Sequence, residues 1–506
     1  MKFRDHEPVV FDSFMGLWDR DDPENTPPDH FTQCDNLINK GNNVTVRPGI
    51  GLHQDVAVPL EDVRRLYNYP TPTGNTLLAL VVNGANGEIY HIVDPTTVFG
   101  PILTIAGMTD FAFVPYAGRA YISPFSTFVT GDLNIEKGLD NEFLYVYNGD
   151  GTAARKAAGT GPAGTLTIAN GAAGNTDAGF KIFAVVGETN SGFLSAPVAF
   201  ATFTTSAAFS VSFGNVPIFV GAQWVKRHIV ATPTITTYNG NVEGYPLFFI
   251  PTGTIENNTD TFKNNVSFFD IELIEDASHL IDNYGEIPAG AALWIYRDRL
   301  CLATTFDDIS IVIVSAKGEP EAISQIDGLI IVAPDGNPIT NGGELRDVMY
   351  VFKRSSTTSF VDNDEEPSSW DDSSVDPSLG TCVHGIATVL DSGKSSVDYF
   401  IVTTYAGIIL FNGRYVMPEL SWKIQHFWFS IDRNEFRKIQ IMNAPIQGWI
   451  LCVLPDGRIL VGDTNNGMDP KNIRWYPWPF NVPVNCIAIV NIDDIIIGSP
   501  IYAGPF

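Results

Sequence analysis

Short runs of β-branched and aromatic residues alternate with polar turns along most of the chain. The pattern is clearest at residues 399–411, where two apolar runs flank Ala406 and Gly407. Two such runs with a glycine at the reversal predict a β-hairpin. Comparable pairs of runs occur at residues 77–93, 111–147, 292–315, 348–360, 448–462 and 486–498.

These hairpins follow one another at intervals of roughly 35 to 60 residues once residues 151–276 are left out, a spacing typical of the blades of a β-propeller. The pattern therefore predicts an all-β fold, a β-propeller of about six or seven blades. The strand-like segments nearest the two ends, residues 9–11 and 495–497, are expected to close the propeller, because an unclosed propeller leaves unpaired strand edges.

Residues 151–276 interrupt the series of hairpins. The segment begins with a stretch rich in alanine and glycine, and no charged residue occurs between Phe193 and Gln223. Short strand-like runs separated by turns predict a small β-sandwich. The expected organisation is an irregular N-terminal arm at 1–55, a first propeller segment at 56–150, an inserted β-sandwich at 151–276 and a second propeller segment at 277–506.

Charge and cysteine content exclude several functional classes. Thirty basic residues against 57 acidic ones give the 506-residue chain a formal charge of −27. A field of that sign repels phosphate backbones, so tight nucleic-acid binding is not expected. The five cysteines form no CxxC pair, which favours buried free thiols over a zinc site or disulfides. No signal peptide or transmembrane helix is expected.

An acidic loop begins after residue 361 and contains no basic residue up to residue 377. Clustered carboxylates offer the hard oxygen ligands that Ca²⁺ prefers, but the ordered spacing of a calcium-binding loop is missing. A solvated acidic loop is the favoured interpretation, and no cofactor is predicted. The candidate residues are Asp362, Asp364, Glu365, Glu366, Asp371 and Asp372.

An aromatic cluster near the C-terminus is the second candidate site. It consists of Trp475, Tyr476, Trp478 and Phe480, with prolines at 477 and 479. Such a loop offers flat faces on which a sugar can stack, or it packs its rings on a blade or on a neighbouring subunit. The sequence leaves these alternatives open.

Signals for catalysis are weak. Residues 159–164 match GxGxxG, but Pro162 and the absence of a preceding strand favour a linker over a dinucleotide site. Paired carboxylates could catalyse glycoside hydrolysis, although sequence spacing does not show which of them face each other. Histidines such as His279, His384 and His426 are scattered without the spacing of metal ligands.

Three stretches resemble the β-propeller tail proteins of short-tailed bacteriophages, the tail-nozzle or tail-hub class. The segment 16–24, with 35–37 and 46–49, is similar to their N-terminal opening. Residues 183–186 and 189–197 resemble the fibronectin-type-III-like domain found in such proteins. Residues 351–356, Gly380 and residues 407–413 resemble their later blades.

This resemblance implies a structural virion protein and no enzyme. It implies a homo-oligomer, commonly a hexameric ring, that continues the DNA-exit conduit and is assembled in the host cytoplasm into the virion tail. The expected partners are other tail proteins, such as the adaptor and a tail fibre or spike, with transient passage of phage DNA and no tight binding. The acidic loop would then line the lumen. The alternative is a glycan- or receptor-binding propeller of the virion. A glycosidase is a less favoured alternative.

Overall fold

The computed structural model describes residues 15–20, 27, 30–31, 33–40, 43–46, 62–130, 133–159, 161–221, 223–242, 244–283, 285–324, 327–390, 397–413, 416–490, 494–499 and 503–505. In these ranges the chain forms small antiparallel sheets of two to five strands, which confirms the all-β prediction. Much of the predicted arm at 1–55, including residues 9–11, lies outside them.

The N-terminal third contains a two-stranded ribbon and two larger sheets. The ribbon pairs β1 (Leu37–Lys40) with β2 (Asn43–Val46). Sheet 1 contains β3 (Val63–Thr71), β4 (Gly74–Asn83), β5 (Asn86–Asp94) and β6 (Thr97–Ala106). Sheet 2 contains β7 (Asp110–Tyr116), β8 (Arg119–Thr130), β9 (Leu133–Gly138), β10 (Tyr145–Tyr147) and β11 (Arg155–Lys156). Sheet 2 therefore ends at Lys156 rather than at residue 150.

The insert follows sheet 2 and forms two sheets of its own. Its strands are β12 (Thr167–Ala173), β13 (Gly179–Thr189), β14 (Val198–Thr205), β15 (Phe209–Gly214), β16 (Trp224–Ala231), β17 (Phe248–Glu256), β18 (Lys263–Val266) and β19 (Ile274–Asp276). One sheet has the order β12-β15-β18 and the other β14-β13-β16-β17-β19. The rings of Phe183 and Phe213 meet between the sheets with centroids 5.3 Å apart, so the two sheets pack face to face.

The C-terminal half forms five further sheets. Sheet 3 contains β20 (Gly290–Tyr296), β21 (Arg299–Thr305), β22 (Ile311–Val314) and β23 (Leu329–Ile331). Sheet 4 contains β24 (Ile339–Leu345), β25 (Val348–Lys353), β26 (Thr357–Val361) and β27 (Asp371–Asp376). Sheet 5 contains β28 (Ile386–Leu390), β29 (Val397–Thr403), β30 (Ile408–Phe411) and β31 (Val416–Glu419). Sheet 6 contains β32 (Gln440–Ala444), β33 (Trp449–Val453), β34 (Ile459–Asp463) and β35 (Arg474–Trp478). Sheet 7 contains β36 (Cys486–Val490), β37 (Asp494–Gly498) and β38 (Ala503–Pro505).

Helical structure is minor in the described ranges. The short helix α1 (Gln425–Phe429) lies between sheets 5 and 6. Single 3-10 turns occur at Asp270–Glu272, Ser278–Asp282, Pro367–Ser369, Trp422–Ile424 and Phe436–Lys438.

The sheets outside the insert contact one another in chain order. Strand β3 lies beside β7, β7 beside β20, β20 beside β24, and β28 beside β32. Strand β24 meets β29 of sheet 5, and β36 contacts both β32 and β3, so the last sheet lies against the first. The first strand of each sheet thus lies on the inner side of the closed arrangement of sheets.

The strands are apolar at consecutive positions because both faces of most sheets are covered. In β25, Met349 and Val351 belong to the core shared with sheet 3. Tyr350 and Phe352 point the other way and pack with Phe400 of sheet 5. A strand covered on both faces reads as a continuous hydrophobic run rather than an alternating one. Each such side chain contributes roughly 1.5–3 kcal/mol by its burial.

The insert is joined to sheets 2 and 3 through one continuous core. Phe183 of the insert, Tyr121 of sheet 2 and Leu293 of sheet 3 belong to the same buried cluster. At this junction the Glu321 carboxylate accepts two hydrogen bonds from Arg155, each 2.9 Å long, and one of 2.6 Å from Ser191 Oγ. The buried Arg155–Glu321 pair therefore joins sheet 2 to sheet 3, and the Ser191 hydrogen bond ties the insert to that pair.

Gly380 lies where the chain passes from sheet 4 to sheet 5, and its lack of a side chain is required there. A Cβ atom at this position would overlap the carbonyl group of Arg354, which is backbone and cannot rotate away. We expect Gly380→Ala to destabilise the fold by about 1–3 kcal/mol, the usual cost of overpacking. Thermal unfolding of G380A and of the control G164A, whose Cβ would lie 3.7 Å from its nearest neighbour, measures the effect. Equal melting temperatures for the two variants would contradict the expectation.

Candidate functional site

The first strands of the sheets surround a narrow space, hereafter the central cavity, of about 180 Å³. Six sheets contribute to its wall, through Tyr67, Phe113, Leu293, Asn341, Ile386 and Ile441 among others. Apolar and polar groups share the wall, and a group of polar side chains that includes His384 lies at one end.

That polar group links three sheets through buried hydrogen bonds. Arg65 of β3 donates from Nε to Asp110 Oδ1 over 3.0 Å and from Nη2 to Asp110 Oδ2 over 2.6 Å. His384, just before β28, places Nε2 2.9 Å from Asp110 Oδ2 and Nδ1 3.3 Å from the hydroxyl of Tyr67. The Tyr67 hydroxyl lies 3.1 Å from the carbonyl of Phe111, so its single proton is shared between that carbonyl and His384 Nδ1.

The charges in this network are fixed by its surroundings. Burial disfavours charge on Asp110, but Arg65 and His384 outweigh it and hold the pKa of Asp110 well below its usual range. Burial, reinforced by the charge of Arg65, lowers the pKa of His384. A neutral His384 therefore donates from Nε2 to the ionised Asp110 and leaves Nδ1 as an acceptor facing Tyr67.

Val383 and His384 also line a larger cavity of about 360 Å³ beside this network. A third cavity of about 280 Å³ adjoins it, because Glu136 and Arg437 line both. We refer to these two adjoining cavities as the cationic basin. Their six cationic side chains are Arg64, Arg65, Arg354, Arg433, Arg437 and Lys438.

Several buried polar atoms in the basin have no hydrogen-bond partner within the described part of the chain. They are Nη1 of Arg65, Oε1 of Glu136 and Nε of Arg437. Arg65 is only 5% exposed and Glu136 only 8% exposed. Glu136 Oε1 lies 3.7 Å from Arg437 Nε, too far for a hydrogen bond. Burial raises the pKa of Glu136 despite these cations.

Sequence reasoning did not find this site. In the sequence, His384 is only one of several scattered histidines. Arg65 and His384 come together only when sheets 1 and 5 face the same centre, and 318 intervening positions separate them. The one local signal is that Arg65 stands between Val63 and Leu66, two buried apolar residues of β3.

The acidic loop differs from the prediction at one residue. Asp362 is only 7% exposed, its Oδ2 lies 3.6 Å from Arg299 Nε, and its Oδ1 accepts from the backbone N–H of Asp364. The prediction of a fully solvated loop is therefore wrong for Asp362, because the neighbouring sheet supplies a cation. The remaining candidates are exposed: Asp364, Glu365, Glu366, Asp371 and Asp372. They lie on β27 or just before it, at the edge of sheet 4 opposite β24.

The aromatic contact loop is a buried strand instead. Trp475, Tyr476 and Trp478 belong to β35 and are at most 1% exposed, so these three rings do not form an open platform for a sugar. Phe480 is partly buried against the same core. The arm covers this strand: Leu17 N–H donates to the carbonyl of Trp475, and Trp478 Nε1 donates to that of Leu37. These rings pack instead into the core of sheet 6.

The described ranges show neither a metal-binding cluster nor a membrane-spanning helix. They contain no group of three or more His, Cys, Asp or Glu side chains placed to hold a metal ion. The helices within them are all too short or too polar to cross a bilayer. All five cysteines are buried and unpaired, as the sequence predicted.

Comparison with known proteins gives little further information. No protein-family model matches the chain, and no curated protein sequence matches it. Among solved structures, the chain is similar to Saccharomyces cerevisiae Sqt1 at 9% sequence identity and a TM-score of 0.30. That alignment covers 90% of this chain and 98% of Sqt1.

Proposed function

We propose that this chain is a structural subunit of a short-tailed bacteriophage tail, of the nozzle or hub class. In this proposal seven blades, sheets 1 to 7, form one β-propeller closed between sheets 7 and 1. The insert is a fibronectin-type-III-like sandwich attached to the side of the propeller. Copies of the chain associate into a hexameric ring that continues the DNA-exit conduit.

The conduit has to run between subunits rather than through one of them. The central cavity holds only about 180 Å³, and the Arg65–Asp110–His384 network occupies one end of it. A DNA duplex cannot enter so small a space. The proposal therefore requires a ring of several chains, with the exposed carboxylates of the acidic loop as candidates for its inner surface. Like charge there repels the phosphate backbone and keeps the DNA from binding.

The observation that carries the proposal is the apolar surface of the insert. Ile271 is 92% exposed, Val220 85% and Phe262 65%. Other exposed apolar side chains of the insert are Phe209, Ile218, Tyr238, Phe269 and Ile274. The insert thus carries eight of the sixteen large apolar side chains that are exposed among the described residues, and protein–protein contact surfaces use such side chains. An insert that carries them suits a domain buried against a neighbouring tail subunit.

Ring formation by the purified protein is the expected result. We expect hexamers by electron microscopy and sedimentation, and we expect assembly to strengthen as salt screens the charge of −27 on each chain, over roughly 8–10 Å near physiological ionic strength. The triple variant V220S/F262S/I271S should weaken association by about 30-fold or more, because anchors of this kind carry most of the binding energy. The control V129S changes a side chain that is 77% exposed but lies on sheet 2, and it should assemble normally.

Two outcomes would contradict this proposal. One is a protein that stays monomeric at every salt concentration and protein concentration, even beside purified tail neighbours. The other is a ring that binds duplex DNA tightly at about 0.15 M salt, since a conduit of this charge should release its cargo.

The sequence also left open glycoside hydrolysis by a pair of carboxylates. The two carboxylates of the cationic basin argue against that activity. Asp110 and Glu136 line the same cavity, and the pKa of Asp110 is held low while that of Glu136 is raised by burial. Asp110, however, is bound by both Arg65 and His384, which occupy both of its oxygens. A carboxylate engaged in this way is a poor nucleophile, so we propose no enzymatic activity.

A further inference from the structure

The cationic basin carries an excess of positive charge inside a strongly acidic chain. Two of its six cations are balanced at the rim, since Arg64 pairs with Asp62 and Lys438 with Glu435. The remaining four arginines share two further carboxylates of the cavity walls, Asp110 and Glu136, although Arg437 also lies 4.0 Å from Glu435. Walls of one sign in a concave site concentrate ligands of the opposite sign. The basin therefore favours a small anion.

The donors for that anion are already held in place. Nε and Nη2 of Arg65, a side chain that lines the cavity, are fixed by Asp110, and its buried Nη1 has no partner in the described chain. Arg437 donates from Nη1 to Thr127 Oγ1 over 3.1 Å and leaves Nε without a partner there. A ligand carboxylate can accept from such positioned guanidinium groups, which are the usual carboxylate-binding side chains.

Glu136 restricts the ligand further. Its Oε1 is buried and has no donor within the described residues, and an unsatisfied buried carboxylate oxygen is costly. Phosphate or sulfate would bring mainly acceptors and negative charge against it. A ligand that carries hydroxyl groups beside its carboxylate satisfies Glu136 and the arginines together.

Size and access suit a single sugar unit. The larger cavity measures about 360 Å³, at the lower end of small-molecule sites. Its rim is open, because the side chains of Arg64 and Lys438 are each 49% exposed. Polar side chains such as Thr109, Ser126 and Asn485 line the wall and can bond further hydroxyls.

We propose that the cationic basin binds a carboxylated monosaccharide unit, such as a hexuronic acid, with its carboxylate on Arg65 and Arg437 and a hydroxyl on Glu136. This site lies within one chain and does not depend on ring formation. It also differs from the Trp475–Phe480 cluster, which burial removes from consideration.

Titration of the full-length protein with glucuronate, galacturonate and N-acetylneuraminate tests the site. Saturation-transfer NMR and calorimetry measure the binding. We expect at least one of these acids to bind about tenfold or more tightly than glucose, which lacks the carboxylate. Arg437→Gln should weaken that binding about tenfold or more, because a charge-assisted hydrogen bond is lost. The control Arg346→Gln changes an arginine on sheet 4 with a 55% exposed side chain, and it should bind as the wild type does.

The comparison of acid with neutral sugar uses unmodified protein, so it holds even if R437Q folds poorly. Absence of binding for all three acids, or equal binding of glucose, would overturn the proposal. Inorganic phosphate that binds as tightly as the best acid would also overturn it and leave a general anion site. Failure to form rings would bear only on the tail proposal, since each monomer contains a complete basin.

Discussion

Removal of residues 484–506 is expected to leave a chain that does not fold. These residues contain all of sheet 7, which fills the space between sheets 6 and 1. Ile487, Ile495 and Ile497 pack into the core of sheet 6. Val490 and Ile496 pack with Leu66 and Leu77 of sheet 1.

The expected loss follows from the number of buried side chains. Five large aliphatic residues at roughly 1.5–3 kcal/mol each amount to about 8–15 kcal/mol, comparable with the whole stability of a typical protein. Backbone contacts are lost as well, since Asn485 Nδ2 donates to the carbonyl of Val63 and the N–H of Val63 donates to that of Ser499. One face of sheet 1, with Leu66 and Leu77, would then be left uncovered, and such exposed apolar surface promotes aggregation.

A shorter truncation provides the matched control. Removal of residues 499–506 keeps β36 and β37, and with them the five aliphatic side chains, while it removes β38 and Ser499. We expect this variant to stay folded with a modestly lower melting temperature. Circular dichroism, soluble yield and thermal unfolding compare the two truncations. Equal yield and equal melting temperature would mean that sheet 7 does not close the structure.

Strand positions could be predicted because hairpins are local. The turn at residues 404–407 and the apolar runs on either side of it contain most of the information needed to form β29 and β30. The consecutive isoleucines 495–497 are equally informative, since only a strand covered on both faces is apolar at every position. Which partners cover those faces depends on residues far away in the chain.

The aromatic cluster shows how a local rule can mislead. Prolines at 477 and 479 suggested a loop, because proline lacks the N–H that a central strand needs. Strand β35 is the outermost strand of sheet 6, where one side of the backbone carries no sheet partner and proline is tolerated. The arm then supplies other contacts, including a hydrogen bond from Asn36 N–H to the Pro477 carbonyl. Those residues lie more than 400 positions away in the sequence.

The basin could not be predicted because its residues share no motif. Asp110 begins β7, His384 precedes β28 and Arg437 follows α1, so each lies at a different sheet. Their meeting depends on the closure of the sheets around one centre. Glu321 was missed for the same reason, since it lies in a loop of sheet 3 and its partners belong to sheet 2 and to the insert.

Glu321→Ala is expected to destabilise the protein by about 3–5 kcal/mol, because it leaves the buried Arg155 without its counter-charge. The side chains of Arg155 and Glu321 are 9% and 2% exposed. The substitution also removes the acceptor for Ser191 Oγ and for the N–H of Ala158, which join the insert to its neighbours. Urea and thermal unfolding measure the loss.

The adjacent pair Lys156–Glu286 gives a control for Glu321→Ala in the same region. Its side chains are 40% and 41% exposed, so Glu286→Ala should cost at most about 1 kcal/mol. Acid provides a second test. Burial opposes charge on Glu321, but Arg155 and its hydrogen bonds outweigh it and hold the pKa below its ordinary value of 4.5. The contribution of Glu321 is therefore complete above about pH 4.5 and is lost as the pH falls through the folded-state pKa. The stability difference between wild type and E321A should shrink in that acidic window, and a difference that stayed constant there would show that the carboxylate charge is not what stabilises the junction.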